Sequence, residues 1–298
     1  MKPKVIVIVG PTASGKTMLS IEIATLCDGE VVSADSRQVY RGLDIGTGKV
    51  TPEEMNGIPH HLLDVADPMD VYTAADFARD GQAAINGILE QNHLPIIAGG
   101  TFFYVDALLG TVAVPEVPPN PALRASLEKR TAEALFAELQ EKDAARAETI
   151  DPHNKVRLVR ALELIDALGS VPTPTSEPLY DALFLGIEIT EAQLHHNIYK
   201  RIIDRLDHGM IEEVVQLHAN GMTYERMEEL GLEYRYISRH LKGELTKEAM
   251  IDELNTKTRQ FAKRQLTWLK RYTAVQWVAP DAVTEARALV HHHTQTHS

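Results

Sequence analysis

A glycine-rich loop near the start of the chain constrains the fold most strongly. Residues 10–17 read Gly-Pro-Thr-Ala-Ser-Gly-Lys-Thr and fit the pattern G-x-x-x-x-G-K-[ST]. The apolar, β-branched run from Lys4 to Val9 precedes the loop and predicts a buried parallel strand, and apolar residues at helical spacing follow it. Between a strand and a helix, the backbone N–H groups of such a loop bind phosphate oxygens. The feature therefore predicts an α/β protein with a parallel sheet and a phosphate-containing ligand.

The rest of the chain divides into a core and an insertion. Its 298 residues, 44% of them hydrophobic, are enough for one α/β core with an inserted lobe. Prolines cluster between positions 115 and 121 and again between 172 and 178, and helix-forming residues predominate between the clusters. We predict a P-loop NTPase-like parallel sheet flanked by helices, formed by residues 1–111 and 180–298, with residues 112–179 as an inserted all-helical lobe.

Hydrophobic periodicity outlines the elements of the core. Residues 74–91 predict a helix before the insertion. After it, an apolar run at 182–189 predicts a strand, and helices are predicted over 191–218, 223–241 and 247–271.

Composition excludes several classes of protein. The single cysteine, Cys27, can form neither an intrachain disulfide nor a cysteine-rich metal site, so a reducing cytoplasm is expected. No apolar stretch approaches the roughly 20 residues of a membrane span, so we expect no membrane partner. The formal net charge of −12 argues against polyanion binding by the chain as a whole and favours a soluble monomer.

One segment departs from this acidity. Residues 255–272 carry a local charge of +6 and no acidic residue. The basic residues are Lys257, Arg259, Lys263, Arg264, Lys270 and Arg271. The pattern is typical of a solvated helix face, and it also suits contact with RNA phosphates. Phe261 and Trp268 in this segment are interpreted as core side chains.

The predicted strand ends carry the next polar residues of interest. An NTPase or kinase with this loop usually has a second apolar strand that ends in a Mg²⁺-binding Asp. The candidate strand here, Leu94 to Ala98, is followed by Gly99-Gly100-Thr101 without a carboxylate. Another strand ends at Asp35, and Asp35 and Thr101 are both expected to face the phosphate loop. An Asx turn is the structural alternative for Asp35.

Six blocks of sequence, taken in order, resemble the tRNA dimethylallyltransferases, also called tRNA isopentenyltransferases. The blocks are G-P-T-A-S-G-K-T (10–17), D-S-R-Q-V-Y (35–40), D-I-G-T-G-K (44–49), H-H-L-L-D (60–64), G-G-T-x-x-Y (99–104) and T-R-Q-F-A-K-R-Q-L-T-W (258–268). The resemblance extends from about Val5 to Arg271. No Cys/His-spaced zinc finger follows Arg271, so the bacterial type is the expected match.

The resemblance implies transfer of a dimethylallyl group from dimethylallyl diphosphate to N6 of adenosine 37, beside the anticodon of tRNA. It implies that Asp35 is the general base, that Thr101 and Arg205 belong to the catalytic site, and that Thr17 binds Mg²⁺. A surface position on its helix is the alternative for Arg205. The residues expected to hold the diphosphate are Gly10, Pro11, Thr12, Ala13, Ser14, Gly15, Lys16 and Thr17.

A second set of residues is expected to contact tRNA. From the core these are Asp35, Ser36, Arg37, Gln38, Thr101, Lys257, Arg259, Gln260, Lys263, Arg264 and Gln265. From the insertion we expect Arg157 and Arg160 near the anticodon arm, with ion pairs to Glu163 and Asp166 as the alternative.

Two other functions stay open from the residues alone. A small-molecule or nucleotide kinase is favoured by the loop and the acidity, and opposed by the missing strand-end Asp. A nucleotide-gated RNA-binding switch would use the same basic segment without any transfer chemistry.

Three positions depart from the family pattern. Gly48 stands where Ala is common, residues 231–235 read Gly-Leu-Glu-Tyr-Arg where G-Y-K/R-E is usual, and Phe102 replaces a small residue. The second departure leaves the detail of tRNA contacts around 230–236 open, and Phe102 is expected near the substrate channel.

Overall fold

The protein contains one parallel sheet, seen in a computed structural model that describes residues 2–173 and 177–295. Within them the strands are β1 (Lys4–Val9), β2 (Gly29–Ala34), β3 (His60–His61), β4 (Leu94–Gly99), β5 (Asp181–Ile187) and β6 (Gln276–Val278). Their order is β3-β2-β4-β1-β5-β6, and every neighbouring pair is parallel. Part of the second proline cluster, at 174–176, lies outside the described residues.

Helices connect the strands. They are α1 (Lys16–Cys27), α2 (Pro52–Met55), α3 (Ala74–Glu90), α4 (Phe102–Leu108), α5 (Pro121–Leu127), α6 (Ala132–Lys142), α7 (Ala144–Ala147), α8 (Lys155–Leu168), α9 (Glu191–Asp207), α10 (Met210–Ala219), α11 (Tyr224–Leu230), α12 (Leu232–Leu241), α13 (Lys247–Leu269) and α14 (Val283–Gln295). Among the described residues, no helix has both the length and the apolarity needed to cross a membrane.

The sheet separates two hydrophobic cores. Successive side chains of a strand point to opposite faces, and in β1 Val5, Val7 and Val9 join one core while Ile6 and Ile8 join the other. All five are fully buried, as the continuous apolar run predicts. Helices therefore cover both faces, and the predicted class, a P-loop NTPase-like parallel sheet flanked by helices, is confirmed.

The register of the strands decides which residues meet at the carboxyl edge of the sheet. Val9 of β1 and Ala34 of β2 are both paired with Gly99 of β4. The phosphate loop, Asp35 and the Gly100-Thr101 turn follow these three residues directly. Since the strands are parallel, the three segments leave the sheet side by side.

The chain forms two compact units, each with its own core. The first contains Met1–Gly110 and Glu177–Ser298, and the second contains Thr111–Ser176. The second unit consists of α5 to α8 and buries Leu135, Leu139 and Leu158. An insertion over residues 112–179 was predicted from the sequence.

Two of the predicted helices are each divided by a glycine. The segment predicted as one helix over 191–218 separates into α9 and α10, because Gly209 has a φ of +94°. The segment at 223–241 separates into α11 and α12 at Gly231, whose φ is +145°. Only glycine adopts such a backbone readily, so both breaks depend on a conformation that periodicity does not report.

Candidate functional site

A cavity of about 410 Å³ lies in the first unit at the carboxyl ends of the strands. This edge is where open parallel sheets bind ligands. The predicted site residues that line it are Thr12, Ala13, Ser14, Gly15, Lys16, Thr17, Asp35, Ser36, Arg37, Gln38, Thr101, Arg205, Arg264 and Gln265. The predicted site residues that do not line it are Gly10, Pro11, Arg157, Arg160, Lys257, Arg259, Gln260 and Lys263.

The phosphate loop forms one wall of the cavity. Helix α1 begins at Lys16 with Gly15 as its N-cap, so its free N–H groups and the positive end of its dipole lie at the loop. Nζ of Lys16 donates a hydrogen bond to the carbonyl of Pro11, 2.7 Å away. Thr17 is exposed and lines the cavity. The loop thus presents an ammonium, a hydroxyl and helix-terminal amides to a ligand.

Two partly buried cations lie near each other at this wall. Burial and, to a smaller extent, the neighbouring Arg201 lower the pKa of Lys16 to about 7, while Asp35 acts in the opposite direction. Burial and the neighbouring Arg205 lower the pKa of Arg201 in the same way. Because a bound anion would offset both the desolvation and the repulsion, the cavity favours a ligand with negative charge.

Asp35 forms the turn that its sequence position allowed and engages only one of its carboxylate oxygens in it. Its Oδ1 accepts hydrogen bonds from the backbone N–H groups of Arg37 at 2.8 Å and Gln38 at 3.3 Å, which is an Asx turn. Both bonds use the same oxygen, so Oδ2 is left for a ligand in the cavity that Asp35 lines.

Thr101 links the ends of β2 and β4. Its Oγ1 accepts a hydrogen bond from the backbone N–H of Ser36 at 3.1 Å and donates one to the Ser36 hydroxyl at 3.4 Å. The amide of Gln38 is engaged nearby, since its Oε1 accepts from Ser33 Oγ and its Nε2 donates to the Gly48 carbonyl. The segment after β2 is therefore held rigidly beside the phosphate loop.

Two arginines of α9 extend into the cavity. Arg205, only 13% exposed, donates through Nη1 to the Gly46 carbonyl at 3.0 Å and pairs with Glu233 at 3.4 Å. It is thus not the surface arginine of the alternative interpretation. Arg201, which sequence reasoning missed, lines the same cavity and donates to Thr12 Oγ1. The four-residue spacing of the two arginines, which puts them on one helix face, was the available signal.

Several buried polar atoms along the cavity have no hydrogen-bond partner among the residues that the structure describes. They are Ser14 Oγ, His60 Nε2, Arg201 Nε and Thr258 Oγ1. The Nδ1 of His60 lies 2.9 Å from the carbonyl of Ile58 and must donate to it, so the neutral ring offers Nε2 as an acceptor. Burial lowers the pKa of His60 and favours that neutral form. Buried polar groups are normally satisfied, so these four atoms indicate a polar ligand.

Gln265 holds α13 against the phosphate loop. Its Oε1 accepts from the Thr12 backbone N–H at 2.8 Å, and its Nε2 donates to the Gly100 carbonyl at 2.9 Å. The side chain is 5% exposed. The amide of Gln265 thus binds these two loops, and its predicted contact with RNA stays a prediction.

The aromatic residues differ from expectation at two positions. Phe261, interpreted as a core residue, is 39% exposed and lines the cavity. Phe102, expected near the substrate channel, is 4% exposed, packs against Tyr272 and is not a cavity residue. Trp268 packs against the main core, where its Nε1 donates to Asp106. A helical face that opens onto a cavity carries apolar residues just as a core face does, so periodicity does not separate the two.

In the second unit, Arg160 takes part in an ion-pair cluster around a buried carboxylate. Both Arg160 and Arg124 pair with Glu163, whose side chain is 1% exposed, and the pair with Arg160 is the one that the alternative interpretation allowed. Arg160 also donates to the Val117 carbonyl at 2.9 Å. Arg157 is exposed.

Comparisons with known proteins point to one family. Residues 38–272 match the sequence model of the IPP transferases. A tRNA dimethylallyltransferase from Thermomicrobium roseum is 43% identical over 92% of this chain and 85% of that protein. The tRNA dimethylallyltransferase 1 of Geotalea daltonii is 42% identical over 96% of this chain and 95% of that protein.

Solved structures agree with these relatives. The full-length tRNA isopentenylpyrophosphate transferase from Bacillus halodurans superposes with a TM-score of 0.75 at 34% identity, covering 98% of this chain and 97% of that chain. A eukaryotic dimethylallyltransferase acting on tRNA superposes with a TM-score of 0.77 at 27% identity, covering 98% of this chain and 77% of that chain.

Proposed function

The chain belongs to the IPP transferase family, the tRNA dimethylallyltransferases, and from that premise we propose that it transfers the dimethylallyl group of dimethylallyl diphosphate to N6 of adenosine 37 in tRNA. The family membership makes it a prenyltransferase. The single observation that carries the finer proposal is the strand register, which brings the phosphate loop and the Asp35 carboxylate into one cavity.

In the proposed reaction, N6 of the adenine attacks C1 of the dimethylallyl group. The C1–O bond breaks, and the electron pair leaves with the diphosphate. Oδ2 of Asp35 takes the proton that N6 loses as the new C–N bond forms. General base catalysis of this kind contributes roughly 10²- to 10⁴-fold.

The diphosphate would lie against the phosphate loop. Helix-terminal N–H groups of α1 and the Lys16 ammonium would bind its oxygens. Arg201 and Arg205 line the same cavity and would offset the negative charge that grows on the leaving diphosphate. This role for the loop needs no Asp at the end of β4, which supports prenyl transfer over a kinase reaction.

Magnesium fits this arrangement through Thr17. Within residues 2–173 and 177–295, no cluster of three or more His, Cys, Asp or Glu side chains has the geometry of a metal site. In phosphate sites, however, Mg²⁺ takes few protein ligands and keeps water and substrate oxygens, so the Thr17 hydroxyl and a bound diphosphate form a suitable donor set. When bound, the ion would stabilise the charge on the leaving diphosphate.

The tRNA would approach from the side of α13. Arg264 lines the cavity, and Lys257, Arg259, Gln260 and Lys263 lie on the same helix outside it. These side chains suit the phosphates of the anticodon arm, and their contacts would offset the few kcal/mol that extrusion of a base costs. We keep Arg157 of the second unit as a proposed contact of that arm.

The reaction is tested by single-turnover incubation with Mg²⁺, dimethylallyl diphosphate and unmodified tRNA that carries A36 and A37. Nucleoside mass analysis should show a gain of one prenyl group on adenosine 37. Asp35→Asn keeps Oδ1 for the Asx turn and removes the base, so the rate should fall roughly 10²- to 10⁴-fold while tRNA binding persists. Absence of any prenyl gain in the native protein, together with ATP turnover, would favour the kinase.

A further inference from the structure

Two side chains one turn apart on α13 face the cavity without serving the phosphate chemistry. Thr258 and Phe261 both line it, and a spacing of three residues puts them on one face of the helix. Thr258 is 3% exposed, and within residues 2–173 and 177–295 its Oγ1 has no hydrogen-bond partner. Phe261 is 39% exposed, although a ring of this size is normally buried in a core. The pair thus combines an accessible aromatic ring with an unsatisfied buried hydroxyl.

The position of this pair relative to the reactive groups is fixed. Gln265, one turn after Phe261, binds the Thr12 N–H and the Gly100 carbonyl through the two ends of its amide. The guanidinium of Arg264 lies 5.8 Å from the centroid of the Phe261 ring. A ligand on this face of α13 therefore lies between a cationic rim and the phosphate loop.

The chemistry of the pair selects the ligand. A prenyl chain has no polar atom and would leave Thr258 Oγ1 unsatisfied. A nucleobase has a flat π face, which stacks on an aromatic side chain, and a polar edge, which accepts hydrogen bonds. A base extruded from the RNA stack satisfies both groups at once.

We propose that Thr258 and Phe261 form the purine-holding surface of the cavity, in which the base to be alkylated stacks on Phe261 and accepts a hydrogen bond at a ring nitrogen from Thr258 Oγ1. The inference rests on the proposed function and adds to it the residues that hold the acceptor base. It assigns them to the tRNA substrate and not to the diphosphate.

The test is steady-state kinetics of the full chain with tRNA and dimethylallyl diphosphate varied separately. Phe261→Leu keeps an apolar side chain and removes the π face, so the KM for tRNA should rise about 5- to 150-fold. Phe261→Tyr keeps an aromatic ring, so its KM for tRNA should match that of the native protein. Thr258→Val keeps the shape and removes the hydroxyl, and the KM for tRNA should rise about 2- to 12-fold. The KM for dimethylallyl diphosphate should stay unchanged in all three.

Two matched control variants show whether a change in KM comes only from altered folding. Phe103 is 43% exposed and lies outside the cavity, so Phe103→Leu should leave both KM values unchanged. Thr267 is on α13 outside the cavity and donates to the Lys263 carbonyl, so Thr267→Val serves the same purpose for Thr258→Val.

Base analogues identify the partner of the hydroxyl. With 1-deaza-, 3-deaza- or 7-deazaadenosine at position 37, the penalty of Thr258→Val should disappear for one analogue, because the paired nitrogen is then already missing. An unchanged KM for tRNA in Phe261→Leu, or an equal rise in both KM values, overturns the inference while prenyl transfer stands. Absence of transfer by the native protein overturns the proposed function itself.

Discussion

Raising the pH from 7 to 9 should weaken the binding of dimethylallyl diphosphate, because Lys16 loses its proton in the free protein over that range. Burial and the neighbouring Arg201 lower the pKa of Lys16 to about 7 in the free protein. A bound diphosphate places negative charge beside the ammonium and raises that pKa again. A group whose pKa rises on binding takes up a proton, so affinity is highest below pH 7 and falls as the pH increases.

The size of the effect follows from this linkage. With a pKa of about 7 in the free protein and an ammonium that stays protonated in the complex, the protonated fraction of Lys16 in the free protein falls from about one half at pH 7 to about one hundredth at pH 9. The dissociation constant then rises about 50-fold, equivalent to about 2.3 kcal/mol. At pH 8, binding should take up about 0.9 proton.

Isothermal titration calorimetry measures both quantities. In the absence of tRNA the dimethylallyl group has no acceptor, so binding is measured without transfer. The terminal phosphate of the ligand loses its last proton near a pH of about 6, which is below the range from pH 7 to pH 9. Titrations in two buffers with different ionisation enthalpies give the number of protons taken up. Lys16→Met is the matched control, because it removes the titrating amine and should flatten the pH dependence. A native dissociation constant that changes less than twofold from pH 7 to pH 9 would show that Lys16 does not gain a proton when the diphosphate binds.

Three further predictions concern single side chains. A Cβ on Gly48, whose φ is +62°, would lie 1.7 Å from Nη2 of Arg205, so Gly48→Ala must displace the guanidinium. Loss of the charged contact between Arg205 and the diphosphate should raise the KM for dimethylallyl diphosphate about tenfold or more. An unchanged KM would exclude Arg205 from that contact. Gln265→Leu leaves the Thr12 N–H and the Gly100 carbonyl unpaired and should lower the free energy of unfolding by about 1–3 kcal/mol per group. Urea unfolding measures this change, with Gln260→Leu as an exposed control. Glu163→Gln removes the buried carboxylate that accepts hydrogen bonds from the partly exposed Arg124 and Arg160, so the second unit should lose about 1–3 kcal/mol of stability, seen as faster limited proteolysis of residues 111–173 in the full chain. Burial raises the pKa of Glu163, but hydrogen bonds from Arg124, the Asn120 N–H and Arg160 outweigh it and lower the pKa to about 2, so this stability is present above a pH of about 4 and is lost as the pH falls towards 2.

The local patterns of the sequence were sufficient for the fold class and the phosphate loop. An apolar β-branched run, a glycine-rich turn and helical spacing each act over a few residues, and the strand, loop and helix around residues 4–27 follow from them. The start of α3 also depends on neighbouring residues, since Thr73 caps it and forms a capping box with Asp76. Family membership was also predicted from the sequence and is confirmed by the comparisons.

The backbone conformations of two glycines were not predicted from the sequence. The breaks at Gly209 and Gly231 depend on positive φ angles, and a hydrophobic period continues across such a break unchanged. The second break matters for the site, because residues 229–235 around it line the cavity.

Neighbouring residues are enough to specify the fold class, the phosphate loop and the presence of Asp35 at a strand end. Tertiary contacts are needed to bring Arg201 to the phosphate loop and Arg205 into the cavity, to engage the Gln265 amide with two loops, and to open Phe261 onto the cavity. These outcomes depend on which face α9 and α13 turn towards the sheet edge. That choice is made by contacts between residues nearly 190 and more than 250 positions apart, such as Arg201 with Thr12 and Gln265 with Thr12, and no local pattern reports it.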